Sequence, residues 1–112
     1  MKAKVVKKPW GTEKLIVKTE RYAMKEIVIE AGHRLSLQYH KQKEETVYVI
    51  EGKLWISDGN QTYVLNKGEY FHVPPKQVHR FASMNEERCI LLECSTPELD
   101  DVVRLADDYN RK

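Results

Sequence analysis

The sequence predicts an all-β single domain, a sandwich or barrel, and three observations predict it. Turn signals built on Gly, Pro, Asn and Asp recur about every ten residues. The segments between them are rich in Val, Ile, Tyr and Leu, the residues that fit a pleated surface. A length of 112 residues supports one hydrophobic core and leaves no room for a second.

Taken in order, residues 1–20 read as a basic N-terminal arm with a first strand, 21–95 as the barrel core and 96–112 as a C-terminal tail. Met1 to Lys8 runs into Pro9-Trp10-Gly11, where Trp10 is expected to pack as an anchor over a barrel end. Residues 15–17 and 22–30 have strand composition, the second closed by Ala31-Gly32. Over residues 34–40 a period of two puts Arg34, Ser36, Gln38 and His40 on one face and Leu35, Leu37 and Tyr39 on the other. If the polar face looks inward, the apolar face needs a cover, which predicts a homodimer.

Glu45 follows a short charged turn and opens an apolar strand over 47–50. Residues 53–57 should pair with 62–65 across Asp58-Gly59-Asn60-Gln61, a strong hairpin signal. After the turn Asn66-Lys67-Gly68-Glu69, residues 70–73 read as a strand. Pro74-Pro75 is incompatible with a central strand, so the chain swings round before a strand over 78–82. Asn85-Glu86-Glu87 turns into a last strand over 88–95. Beyond Pro97, the spacing of Leu99, Val102, Val103 and Ala106 fits a short helix, and an extended arm fits equally.

Composition excludes several function classes. A net charge of +2 without a long basic run predicts no nucleic-acid partner. Lacking a membrane-length apolar run or a signal-peptide block, the chain is expected in the cytoplasm, with no membrane partner. Cys89 and Cys94 match neither a redox pair nor a zinc knuckle and are expected as reduced thiols on a sheet. The chemistry concentrates instead in Gln38, His40, Glu45 and His79. Were they to converge, they would make a mixed nitrogen and oxygen site, suited to Zn, Mn, Fe, Co or Ni rather than Ca. Among the other histidines, His33 sits in a turn and is expected at the surface, whereas His72 has the parity to face the lumen.

These positions resemble the motifs of the cupin superfamily, the double-stranded β-helix or jelly-roll barrel. Gly32, Gln38, His40, Glu45 and Gly52 keep the spacing of the first motif, with Gln in place of its first His. Gly68, Pro74 and His79 keep that of the second, with Lys76 for its Gly and Ser83 for its Asn. The run Arg34-Leu35-Ser36-Leu37-Gln38, the pair His79-Arg80, Lys8-Pro9-Trp10-Gly11 and the tail from Asp100 to Tyr109 resemble type II phosphomannose isomerase. In that family the cupin usually ends a bifunctional enzyme that also carries a mannose-1-phosphate guanylyltransferase.

The resemblance implies a stand-alone, metal-dependent isomerase that converts mannose 6-phosphate to fructose 6-phosphate. Its metal ligands would be Gln38, His40, Glu45 and His79, and its substrate a small sugar phosphate. Arg34 is expected on the phosphate because it shares the ligand face. Arg80 is favoured by the family pattern, although it alternates away from His79 in a regular strand. Lys76, Lys41 and Lys43 surround the site in sequence as runners-up for the phosphate, with solvated surface lysines as the simpler reading. Glu51, Tyr70 and Lys76 are candidates for the base. Alternatives are a non-catalytic cupin that binds a sugar or small ligand, and a metal-dependent dioxygenase, against which Gln38 argues.

Overall fold

The computed structural model describes residues 1–84 and 87–111. Alternation of apolar and polar residues between turns yields eleven strands among them: β1 (Lys4–Lys8), β2 (Gly11–Lys18), β3 (Ala23–Ile29), β4 (Leu37–Tyr39), β5 (Glu45–Glu51), β6 (Leu54–Ser57), β7 (Thr62–Leu65), β8 (Tyr70–Val73), β9 (Arg80–Ala82), β10 (Cys89–Ser95) and β11 (Val103–Ala106). One antiparallel sheet has the order β1-β2-β3-β10-β5-β8. The other combines β7-β6-β9 with β4-β11, joined where Gln38 bridges to His79 and Arg34 to Ala82. The two layers face each other as a cupin jelly roll.

Most second residues of the inward strands are apolar, and those side chains fill the space between the sheets. Ile27, Ile29, Val47, Val49, Leu54, Ile56, Val73 and Leu91 are all buried. Full burial of each such side chain is worth about 1.5–3 kcal/mol. Trp10, 2% exposed, belongs to this cluster as the anchor that its Pro-Trp-Gly setting predicts. The chain passes from one sheet to the other at Gly52, where φ is 79° and a Cβ would meet the Arg88 carbonyl oxygen at 2.4 Å. Only glycine satisfies both demands.

The hairpin expected from Asp58-Gly59-Asn60-Gln61 forms, with Leu54 opposite Leu65 and Ser57 opposite Thr62. Asp58 Oδ1 accepts from the backbone N–H of Asn60 and Gln61, which fixes that turn. The expected turn at Asn85 and Glu86 lies outside the described residues. Of the two readings of the tail, the extended one is found: β11 pairs with β4, Arg104 opposite Gln38. Cys89 and Cys94 are free thiols on β10, and burial pushes the Cys89 thiol up to about 12. No helix of the structure is long and apolar enough to cross a membrane.

The stretch 34–40 departs from the single regular strand expected of it. Arg34 makes an isolated bridge, residues 35 and 36 are irregular, and β4 begins at Leu37. Period-two parity therefore does not carry across the break. Leu35, expected to face away from the ligands, is 8% exposed and turns into the core, so its burial needs no second subunit. Leu37 and Tyr39 remain half-buried.

Candidate metal centre and its cavity

Three of the four expected ligands meet. The backbones of Gln38 and His79 exchange two hydrogen bonds, 3.0 and 2.8 Å, which sets the end of β4 beside the approach to β9. His40 follows β4, Glu45 opens β5 in the facing sheet, and the ligand atoms of His40, Glu45 and His79 lie within 4.8 Å of one another. Gln38 lines the same cavity, its amide nitrogen 3.5 Å from the Ser36 carbonyl oxygen.

Hydrogen bonding sets the state of both imidazoles. His40 Nδ1 lies 2.5 Å from the Asp101 carbonyl oxygen and His79 Nδ1 lies 2.9 Å from that of Gln77. A carbonyl only accepts, so each Nδ1 carries a proton and each Nε2 is left to face Glu45. Both Nε2 atoms point at one atom: Glu45 Oε1 is 2.9 Å from His40 Nε2 and 3.3 Å from His79 Nε2. Each Nε2 contact with this buried carboxylate needs a cation between the two atoms, a proton or a metal. Adjacent ligands about 2.1 Å from one ion stand roughly 3.0–3.4 Å apart, and the two contacts to Glu45 Oε1 lie near that range. The residues present fit the mixed nitrogen and oxygen centre that their spacing anticipates.

The rest of the cavity is more charged than the sequence suggests. It has a volume of about 110 Å³, and Trp10, Leu35, Phe81 and Val102 form apolar parts of its wall. Among the described residues, Ser36 Oγ, which belongs to a residue lining it, is buried without a hydrogen-bond partner. Lys43 lies in the interior, 5% exposed, with Nζ 3.2 Å from Glu93 Oε2. The surface reading of Lys43 is thus overturned, while Lys41 and Lys76 are exposed as expected. Burial favours the neutral form of this lysine, but the charges of Glu93 and Glu45 outweigh it and raise its pKa.

Glu45 and Glu93 share this environment with opposite outcomes. Burial works against the Glu45 anion, yet hydrogen bonds with Glu93, His40 and His79 and the Lys43 charge hold its carboxyl well below the usual range. For Glu93, burial and then the Glu45 charge push the pKa well above that range, against the pull of Lys43. The two carboxyl groups thus share one buried lysine. Glu93 was not singled out from the sequence, although its parity with the core residues Cys89 and Leu91 was a usable signal.

The expected phosphate ligands lie elsewhere. Arg34 points outward and holds Asp108 through Nε and Nη2 at 2.6 and 3.0 Å, so the inward position inferred from parity is corrected by the break at residues 35 and 36. Arg80 donates to the carbonyl oxygens of Leu35 and Ala106 and lines a second, outer groove with Arg34, Leu37 and Trp55. Its alternation away from His79 in β9 is the reason. Glu51, Tyr70 and Lys76, the candidate bases, are all exposed and none lines the metal cavity. His33 is exposed as expected; His72 does not face the lumen but sits outside, 2.6 Å from Glu44 Oε2.

The tail builds one wall. Asp101 accepts the backbone N–H groups of Lys41, Gln42 and Lys43 at 3.1, 2.7 and 2.9 Å. Those backbone donors hold its carboxyl down at about 2, while its own carbonyl orients His40. One residue thus fixes both the ligand and the turn that delivers Lys43.

The family model described as mannose-6-phosphate isomerase C-terminal matches residues 1–107. The chain belongs to that family. Relatives of this cupin domain include the alginate biosynthesis protein AlgA of Pseudomonas aeruginosa, 29% identical over 95% of this chain and 23% of its own length. The mannose-1-phosphate guanylyltransferase ManC of Salmonella typhimurium is 31% identical over the same shares. The domain therefore spans about a quarter of these curated relatives. Solved structures share its fold: a cupin-like protein of Thermotoga maritima has TM-score 0.77 at 22% identity, covering 86% of this chain and 76% of its own. The polyketide cyclase RemF of Streptomyces resistomycificus has TM-score 0.79 at 21% identity, covering 93% and 79%.

Proposed function

We propose that this cupin domain is a metal-dependent aldose–ketose isomerase acting on a sugar phosphate of the mannose 6-phosphate type. The observation that carries the reading is the pair of imidazole Nε2 atoms converging on one buried Glu45 oxygen, inside a cavity that also buries Lys43 and Glu93. Family membership supplies the substrate class. His40, Glu45, His79 and Gln38 would hold a divalent transition metal, which when bound polarises the carbonyl and hydroxyl oxygens of an open-chain sugar.

Isomerisation moves a proton between C1 and C2, and a positioned base must carry it. Glu93 and Lys43 stand in the cavity beside Glu45, 3.2 Å from each other, and replace the exposed candidates for that role. Trp10, Ile27, Leu35 and Phe81 exclude water from the reacting carbons.

The test is formation of fructose 6-phosphate from mannose 6-phosphate with Zn, Mn, Fe, Co or Ni added in turn, together with elemental analysis. His40→Ala and His79→Ala should lose both bound metal and product, whereas His33→Ala should keep both. Equal metal content in all three variants would refute the centre. Absence of product with every metal would refute the isomerase. The second reading, a sugar-binding cupin without turnover, is favoured by the short span of the relatives that the chain covers and by their guanylyltransferase names. Ligand binding without turnover supports that reading; oxygen uptake with Fe(II) would support a dioxygenase instead.

A further inference from the structure

The charged side chains of the cavity are graded from floor to rim. On the floor, the side chains of His40, Lys43, Glu45, His79 and Glu93 are all 6% exposed or less. Toward the rim, side-chain exposure rises to 12% at Lys25, 22% at Glu13, 23% at Arg111 and 31% at Lys8. The rim is also where the signs cease to balance. Glu13 Oε2 is shared between Lys25 Nζ at 3.4 Å and Lys8 Nζ at 3.8 Å, and one carboxylate cannot neutralise two ammonium groups. Asp107 matches Arg111 through two contacts, 3.0 and 2.9 Å. Arg104 enters from β11 and lines the same space. Among the described residues, two lysines (Lys8, Lys25) thus share one carboxylate (Glu13) at the more exposed side of a cavity that Arg111 also lines.

We propose that this rim, with Lys8 and Lys25 as its principal groups, is the seat for the phosphate of a phosphorylated open-chain sugar whose reacting carbons lie at Glu45. The proposal rests on the isomerase reading for the second half of that sentence and on the charge arrangement for the first. Distance agrees with it. Lys25 is opposite Glu93 on β10, and Glu93 is opposite Val47 on β5, so Lys25 and Glu45 stand on strands two apart. Two strand spacings are about 10 Å, on the order of the reach from the carbonyl end to the terminal phosphate of a six-carbon chain. The partnerless Ser36 hydroxyl, 1% exposed in the same cavity, is an independent sign that a polar ligand completes the site. Both lysines come from the larger sheet and the two arginines from the tail, so an anion here would be clasped from both sides.

Titration of mannose 6-phosphate into the metal-free protein tests the seat without reference to turnover. Lys8→Gln and Lys25→Gln should each weaken binding roughly tenfold, as expected for a lost charge-assisted hydrogen bond, and inorganic phosphate should compete with the sugar phosphate in the unaltered protein. Arg34→Gln with Arg80→Gln, on the outer groove, should leave the affinity unchanged. Lys8 lies on the edge strand with a third of its side chain exposed, so its variant keeps the proposal testable if Lys25→Gln misfolds. Affinity unchanged in the lysine variants but lost in the arginine pair overturns the seat, as does the absence of any mannose 6-phosphate binding. Lysine-dependent binding without isomerisation upholds the seat and sinks the isomerase reading alone.

Discussion

Two ion pairs of this molecule look alike on paper and differ in what they do. Arg34 and Asp108 meet at 2.6 Å on the outside, with side chains 48% and 41% exposed. Lys43 and Glu93 meet at the longer distance of 3.2 Å, with both side chains 6% exposed. The shorter contact is the weaker one. Water screens the outer pair, and ordering two long side chains offsets most of its gain, leaving about 0–1 kcal/mol. Inside, each charge has given up its hydration, so the partners depend on each other and on Glu45. Distance alone says little about an ion pair; the medium around it decides.

The largest test of this contrast is Glu93→Leu, which strands the Lys43 charge in the interior and should cost about 3–5 kcal/mol in denaturant unfolding. Adding Lys43→Met should recover most of that loss. A coupling energy below about 0.5 kcal/mol in the double-mutant cycle would break the comparison. Next comes Asp101→Ala, which removes the acceptor of three backbone donors and loosens His40; a lower melting temperature and weaker metal retention are expected together. Acid offers a second approach to the same residue. Its pKa is depressed from 3.8 to about 2, so its stabilisation is complete above the ordinary value and lost as pH falls from about 4 through 2. The 41–43 amides should then lose protection from hydrogen exchange over that window in the unaltered protein, and show no such step in Asp101→Ala.

Arg34→Ala should cost no more than about 1 kcal/mol, and a larger loss would mean that the outer clip matters as much as the inner one. The smallest expected effect is a gain. Lys76 adopts φ 70°, a conformation that side chains disfavour, while its N–H reaches the His40 carbonyl oxygen at 2.6 Å. Lys76→Gly should therefore stabilise by up to about 1 kcal/mol; a loss would show that the lysine side chain has a compensating contact.

Much of the fold was legible because local rules suffice for it. Gly59 beside Asp58 and Asn60 marks a hairpin, and Pro74-Pro75 bars a central strand, whatever surrounds them. The three residues that cluster in the cavity were legible too, since His40 and His79 with Glu45 keep a spacing that one barrel geometry satisfies. The errors fell where strands are irregular or where charge enters the core. Arg34 was misplaced because parity was carried across a break that only the packing of Leu35 creates. Lys43 read as a surface group because a lysine in a charged turn normally is one. Lys25 shares parity with Ile27 and Ile29, a signal that would have drawn it inward.

The sequence by itself determined most strands, the turns and the three residues, His40, Glu45 and His79, that gather at the candidate metal site, because propensity, alternation and motif spacing act over a few neighbours. Tertiary structure alone decided which charges are buried, which imidazole nitrogen is free and where the cations collect. Those properties depend on the local dielectric and on hydrogen bonds between residues as distant as His40 and Asp101, and no local pattern in the chain encodes them.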